Sequence, residues 1–202
     1  MITYFQFRNA LFIVLLNYNP QQEALSLFSS VSVPDEKDAQ IAAAWGMATC
    51  HARQEQYGEA AAQYRSALAL GCDDPECRLL LSQVLKQDGK DDEALEAVLK
   101  QILLTPDFGP CYTQAARLLL DAGDPARALS YLEQAAARMD EPLDYERARC
   151  LAALGRKDES LAALERLIGH QSDGLREYLR QQGEKDFPSL WGDPQFDRLI
   201  HV

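Results

Sequence analysis

Ala60, Ala94, Ala128 and Ser160 follow one another at intervals of 34, 34 and 32 residues, each just after a polar turn. Twelve residues before each stands another small residue: Ala48, Ser82, Ala116 and Ala148. Five residues before the last three of the first set stands a glycine: Gly89, Gly123 and Gly155. Pro75, Pro106 and Pro142 fall near the junctions between copies. One matching alanine means little in an Ala/Leu-rich chain. Several positions agreeing in register over four copies define a repeated unit, and a repeated unit fixes the architecture.

The residue types at these positions have a physical reason. Two antiparallel helices approach closely only where both present small side chains at the crossing. A short turn after the first helix needs a residue at positive φ, which glycine adopts without steric cost. Proline ends one helix or opens the next. One hairpin cannot bury its apolar face alone, whereas stacked hairpins share a continuous core. Between the turns, apolar residues recur at three and four, and no stretch shows sustained β-type alternation.

In "AAWGMATCHARQEQYGEAAAQYRSALAL", Ala48, Tyr57, Ala60, Tyr64, Ala67 and Leu70 resemble the tetratricopeptide repeat (TPR). The next copies contribute Leu81, Leu85, Gly89, Ala94 and Pro106, then Leu119, Gly123, Ala128 and Ala135. "YERARCLAALGRKDESLAALERLI" matches at Ala148, Leu151, Gly155 and Leu164 but carries Ser160 where alanine is usual. A divergent earlier copy is expected over 5–38, with Ala24 and Phe28 in register and Phe12 where a small residue belongs. The resemblance implies an all-α, right-handed superhelical solenoid of about five hairpins with a C-terminal helical cap. The expected divisions are a divergent N-terminal hairpin over 1–40, four repeats over 41–172 (41–74, 75–108, 109–140 and 141–172), and a capping helix with an aromatic tail over 173–202. In that tail Asp193 and Pro194 read as helix N-cap and first helical residue, and the segment is expected to fold over the last hairpin.

The resemblance also implies a concave groove lined by the first helix of each hairpin. Counted from Ile41, Pro75, Gly109 and Glu141, its candidate lining is Trp45, Thr49 and Arg53, then Leu79, Gln83 and Lys86, then Thr113, Arg117 and Leu120, then Tyr145 and Arg149. Chaperone-adaptor members of the family hold a C-terminal carboxylate with a Lys/Asn clamp. Here the clamp positions read Trp45, Thr49, Leu80, Pro110 and Gln114, so that mode is not expected. Arg117 and Arg149 share the ninth position of consecutive repeats, with Lys86 one repeat earlier. They form either a short basic track for an acidic segment or ion pairs with local acids such as Asp121 or Glu146.

With 20 basic and 31 acidic residues the net charge is -11, which disfavours nucleic acid and anionic membrane surfaces as partners. The five cysteines, Cys50, Cys72, Cys77, Cys111 and Cys150, form no Cys-x-x-Cys and read as reduced thiols of a cytoplasmic protein. No histidine stands at a ligand spacing from them, so no metal or other cofactor is expected. "ALFIVLL" over 10–16 is too short to span a membrane; Arg8 before it fits a signal peptide, although no small-x-small cleavage site follows, and the competing reading is a buried first helix. No phosphate loop, nucleophile elbow or His-Glu-x-x-His occurs, so no enzyme is expected. The expected function is a protein-interaction module that takes a peptide or helix of a partner in its groove, as adaptor or dedicated chaperone. Small acidic TPR chaperones of bacterial secretion systems are similar in size class and charge. The alternative is a self-associating scaffold, a homodimer through the N-terminal helix, whose Tyr4, Phe5, Phe7, Leu11, Phe12, Leu15 and Leu16 cover more than one helical face.

Overall fold

The computed structural model describes residues 37–138, 143–170 and 172–201. The expected N-terminal hairpin and its apolar helix lie outside the described residues. The chain divides into two compact units, Met1–Leu104 and Thr105–Val202. The described part of the first contains α1 (Lys37–Arg53), α2 (Tyr57–Ala69), α3 (Pro75–Gln87) and α4 (Asp91–Leu104). The second contains α5 (Gly109–Asp121), α6 (Pro125–Ala136), α7 (Asp144–Ala153), α8 (Lys157–His170), α9 (Ser172–Asp186) and α10 (Pro194–His201). Among the described residues there is no strand. No helix there is long and apolar enough to cross a membrane.

Successive helices pack as hairpins: α1 on α2 and α3 on α4 in the first unit, α5 on α6 and α7 on α8 in the second. Ala48, Ser82, Ala116 and Ala148 are fully buried, and so are Ala60, Ala94, Ala128 and Ser160. The small residues of the register are therefore the points where paired helices close on each other. Helix starts are chemically marked. Asp74 caps α3 by accepting from the Glu76 amide at 2.9 Å, with Pro75 at the first turn. Asp124 caps α6 by accepting from the Arg127 amide at 3.1 Å, with Pro125 in the same place. The acids of α4 (Asp91, Asp92, Glu93) and α8 (Asp158, Glu159) lie in first turns, where they complement the helix dipole.

The turns within the hairpins share one hydrogen-bond pattern. Gly89 N donates to the Lys86 carbonyl and Lys90 N to that of Leu85, both at about 3 Å. The same pair of bonds closes the turns at Gly123 and Gly155. These glycines have φ of 74°, 77° and 73°, and a Cβ on any of them would meet nothing within 4 Å. Conformation, not space, is what glycine supplies there. In the first hairpin Glu55 occupies the equivalent place at φ 59°, with Glu55 N bonded to Ala52 O and Gln56 N to His51 O.

The tail covers the last hairpin. Phe187, Leu190, Phe196 and Ile200 form one cluster with Ala148, Leu161, Leu164 and Leu179, all buried. Asp193 accepts from the amides of Gln195 (2.9 Å) and Phe196 (3.4 Å), opening α10 at Pro194. Ser189 ties the tail to α7 by donating to the Ala152 carbonyl at 2.9 Å.

Candidate functional site

In the first unit, α1 and α3 carry the expected groove residues. Trp45 is only 2% exposed and meets Tyr64 of α2 edge-on, with ring centroids 6.3 Å apart. One turn on, Thr49 Oγ1 donates to the Trp45 carbonyl at 3.1 Å and lies 3.4 Å from the Tyr64 hydroxyl. Burial pushes the Tyr64 phenol up to about 12, against the opposing effect of the Thr49 hydrogen bond. Tyr64 is therefore a neutral phenol in this packing. Arg53 and Gln83 are exposed, while Leu79 and Lys86 are half-buried.

In the second unit, α5 and α7 bring three of the expected residues together around two acids. Glu146 is 3% exposed and receives Arg117 Nε at 2.7 Å and Arg149 Nη1 at 3.1 Å. Arg149 Nη2 lies 3.5 Å from Asp186, which also accepts a short hydrogen bond from the Tyr145 hydroxyl and one from Tyr178 at 3.3 Å. The Tyr145 ring stands edge-on to both Phe187 and Tyr178. Two cations and two carboxylates thus neutralise each other, and the surplus of positive charge expected of a basic track is absent from this cluster. Burial works against the charge on Arg149, but Glu146 and Asp186 outweigh it and raise its pKa. Burial, then the Asp186 hydrogen bond, raises the Tyr145 phenol.

The two arginines differ in what they offer to a ligand. The Arg149 side chain is 18% exposed and bound on two sides, whereas that of Arg117 is 52% exposed and bound through Nε. Arg117 is thus aimed by a buried carboxylate while its outer edge faces solvent. Thr113 and Leu120, one turn to either side of it on α5, are half-buried. Position counting singled out the arginines and Tyr145. The local-acid alternative named Glu146, which pairs with both arginines; Asp186 and Tyr178 were not singled out and carry no sequence signal for this cluster.

The tetratricopeptide-repeat family model matches residues 46–110 and 113–174. Among solved structures, YrrB, described as a TPR protein with an unusual peptide-binding site, is similar with a TM-score of 0.65 and 21% identity, over 85% of this chain and 87% of that one. MamA is similar with a TM-score of 0.66 and 11% identity, over 92% and 97%. TTC0263, a thermophilic TPR protein of Thermus thermophilus, gives 0.62 and 19%, over 92% and 98%. Among curated proteins none matches the chain. These structural likenesses share the all-α TPR solenoid fold that the register predicts. The repeat register, the buried small residues at its crossings and a family match over more than half of its length agree that the chain belongs to the tetratricopeptide-repeat family.

Proposed function

We propose that this chain is a non-enzymatic protein-interaction module that takes a peptide or helical segment of a partner on the faces of its first helices, as an adaptor or dedicated chaperone. The observation that carries the reading is Arg117, half-exposed on the first helix of its repeat and oriented by the buried carboxylate of Glu146. A guanidinium held in place by the protein loses little freedom when it meets a ligand oxygen. YrrB, whose fold this chain shares, is described as having a peptide-binding site. In the first unit Leu79 offers half-buried contact area on a helix that also carries exposed Gln83, and in the second unit Thr113 and Leu120 do so on the helix of Arg117. A cytoplasmic setting fits five cysteines that are all free and buried.

Mass spectrometry of proteins that co-purify with the native chain names the partner. Its affinity is then measured against Arg117→Gln and Gln83→Glu, with helicity checked by circular dichroism. A loss of about tenfold or more in either variant supports the groove reading. Unchanged affinity in both, with helicity intact, moves the partner to another face of the protein.

A further inference from the structure

α2 and α3 are joined by the short segment 70–74. Cys72 lies within that segment and Cys77 in the first turn of α3. Both are buried, at 5% and 0% exposure, and both are held against the last turns of α2. Cys72 N donates to the Ala67 carbonyl at 3.0 Å, and the Cys77 thiol donates to the Tyr64 carbonyl at 3.8 Å. Tyr64 and Ala67 stand three residues apart, neighbours on one face of α2. Two anchors on one helical face bring the two cysteines together, and their side chains are hydrogen-bonded to each other. Thiols already in contact need only a small approach to reach the S–S length of about 2.05 Å.

The two sulfurs differ in access. Gly71 and Asp73 flank Cys72 and are exposed, and a loop opens locally at lower cost than a packed helix. Cys77 is inside α3. The hydrogen bond between the two side chains, then burial, raises the Cys77 pKa, so this thiol keeps its proton at neutral pH. Cys50, Cys111 and Cys150 are also buried, but burial, not a second thiol, is what raises theirs.

We propose that Cys72 and Cys77 are a redox-sensitive pair that closes to a disulfide under hydrogen peroxide and fastens the end of α2 to the start of α3. Cys72 gives its proton to water, and its thiolate attacks one oxygen of the peroxide. The O–O bond breaks, Cys72 becomes a sulfenic acid, and the departing hydroxide takes up a proton as water. The Cys77 sulfur then attacks the Cys72 sulfur. The S–O bond breaks, and the leaving hydroxide takes the Cys77 proton. Two thiols have lost two electrons, and one peroxide has become two waters. A thiol reductant reverses the bond by exchange. While it is closed, the joint between two consecutive hairpins is locked.

The test treats the full reduced chain with hydrogen peroxide in the absence of denaturant, then alkylates it and digests it with trypsin. Cys72 and Cys77 fall in one tryptic peptide, 66–78. That peptide is expected to lose two hydrogens, about 2 Da, to take no alkyl group, and to regain both thiols in reductant. Helicity persists throughout. The peptide loses its thiols about tenfold faster than Cys111 or Cys150 is oxidised, because unfolding of the whole chain would expose those two as well. In Cys77→Ser the bond does not form, and dimedone traps the sulfenic acid on Cys72. If that variant lowers helicity, Cys72→Ser serves instead, and Cys77 then stays a thiol. In the oxidised chain the amides of residues 72 and 77 exchange with deuterium more slowly than in the reduced chain. A peptide 66–78 that keeps both thiols, a bond to any other cysteine, or amide exchange unchanged by oxidation overturns the proposal.

Discussion

The Ser160 hydroxyl donates to the carbonyl of Ala148, twelve residues earlier, at 2.8 Å. The two small residues that define the crossing of α7 and α8 are thus joined by a hydrogen bond as well as by close packing. At the equivalent crossing of α3 and α4, Ser82 is also fully buried, but its Oγ has no hydrogen-bond partner among the described residues. The same residue type is satisfied in one repeat and unsatisfied in another. Ser160→Ala is expected to cost about 1 kcal/mol, and Ser82→Ala to stabilise by a similar amount, because burying a hydroxyl without a partner is unfavourable. Urea unfolding of the two variants reads opposite shifts in midpoint.

Glu55 holds a left-handed φ of 59° where the other hairpins have glycine. Side chains pay a steric penalty in that region that glycine does not. Glu55→Gly is expected to stabilise the first described hairpin by about 0.5–1 kcal/mol, and Gly123→Ala to destabilise its own by about 1 kcal/mol. Since a Cβ at Gly123 meets nothing, thermal unfolding of that variant measures conformation alone.

Position counting predicted well where the constraint was local. Two helices crossing at a small residue, or a chain turning through positive φ, demand particular residue types at fixed spacing, and Ala48, Ala60, Gly89 and Gly155 display them. It predicted less where the constraint came from far along the chain. Tyr145 sits at a groove position by count, yet its hydroxyl is taken by Asp186, 41 residues later, and its ring by Phe187 of the tail. Trp45 is likewise enclosed against Tyr64. Periodicity reports which face a side chain occupies. It does not report what arrives to cover that face.

A Cβ at Gly183 of α9 would lie 3.0 Å from Trp191 Cζ3 and 3.3 Å from Phe196 Cζ. Phe196 is fully buried and has no room to retreat. Gly183→Val is expected to loosen the cap by about 1–3 kcal/mol. Trp45 is 2% exposed and would dominate any red shift, whereas Trp191, 43% exposed, packs on Phe196 of the cap, so the cap is followed through Trp191 emission in a Trp45→Phe background.

Asp193 has its pKa lowered, first by the Lys157 ion pair and then by the amides of Gln195 and Phe196. A carboxyl whose folded pKa lies below its ordinary value of 3.8 stabilises the fold fully above that value. The contribution is lost as pH falls through the depressed folded value. The cap is therefore expected to loosen in acid below about pH 4, followed through Trp191 fluorescence. Asp193→Asn removes this component of the acid transition while keeping an oxygen to cap α10.

All five cysteines are free and buried. Burial pushes the thiols of Cys111 and Cys150 up to about 12. At neutral pH these two are thiols, not thiolates, and are expected to react with a disulfide reagent far more slowly than a free cysteine. Titration in denaturant should release the full count at once. Rapid modification of either in the native protein would contradict the burial.

Because Arg149 is held from one side by its own helix and from the other by Asp186 at the end of α9, the last repeat is not an interchangeable module. A copy inserted upstream, between α2 and α3, leaves the Arg149 ligation whole. One inserted between α8 and α9 carries Asp186 away, exposing Tyr145 and leaving Arg149 with Glu146 alone. The chain can lengthen from its beginning or middle, while its final repeat and its cap must be inherited together.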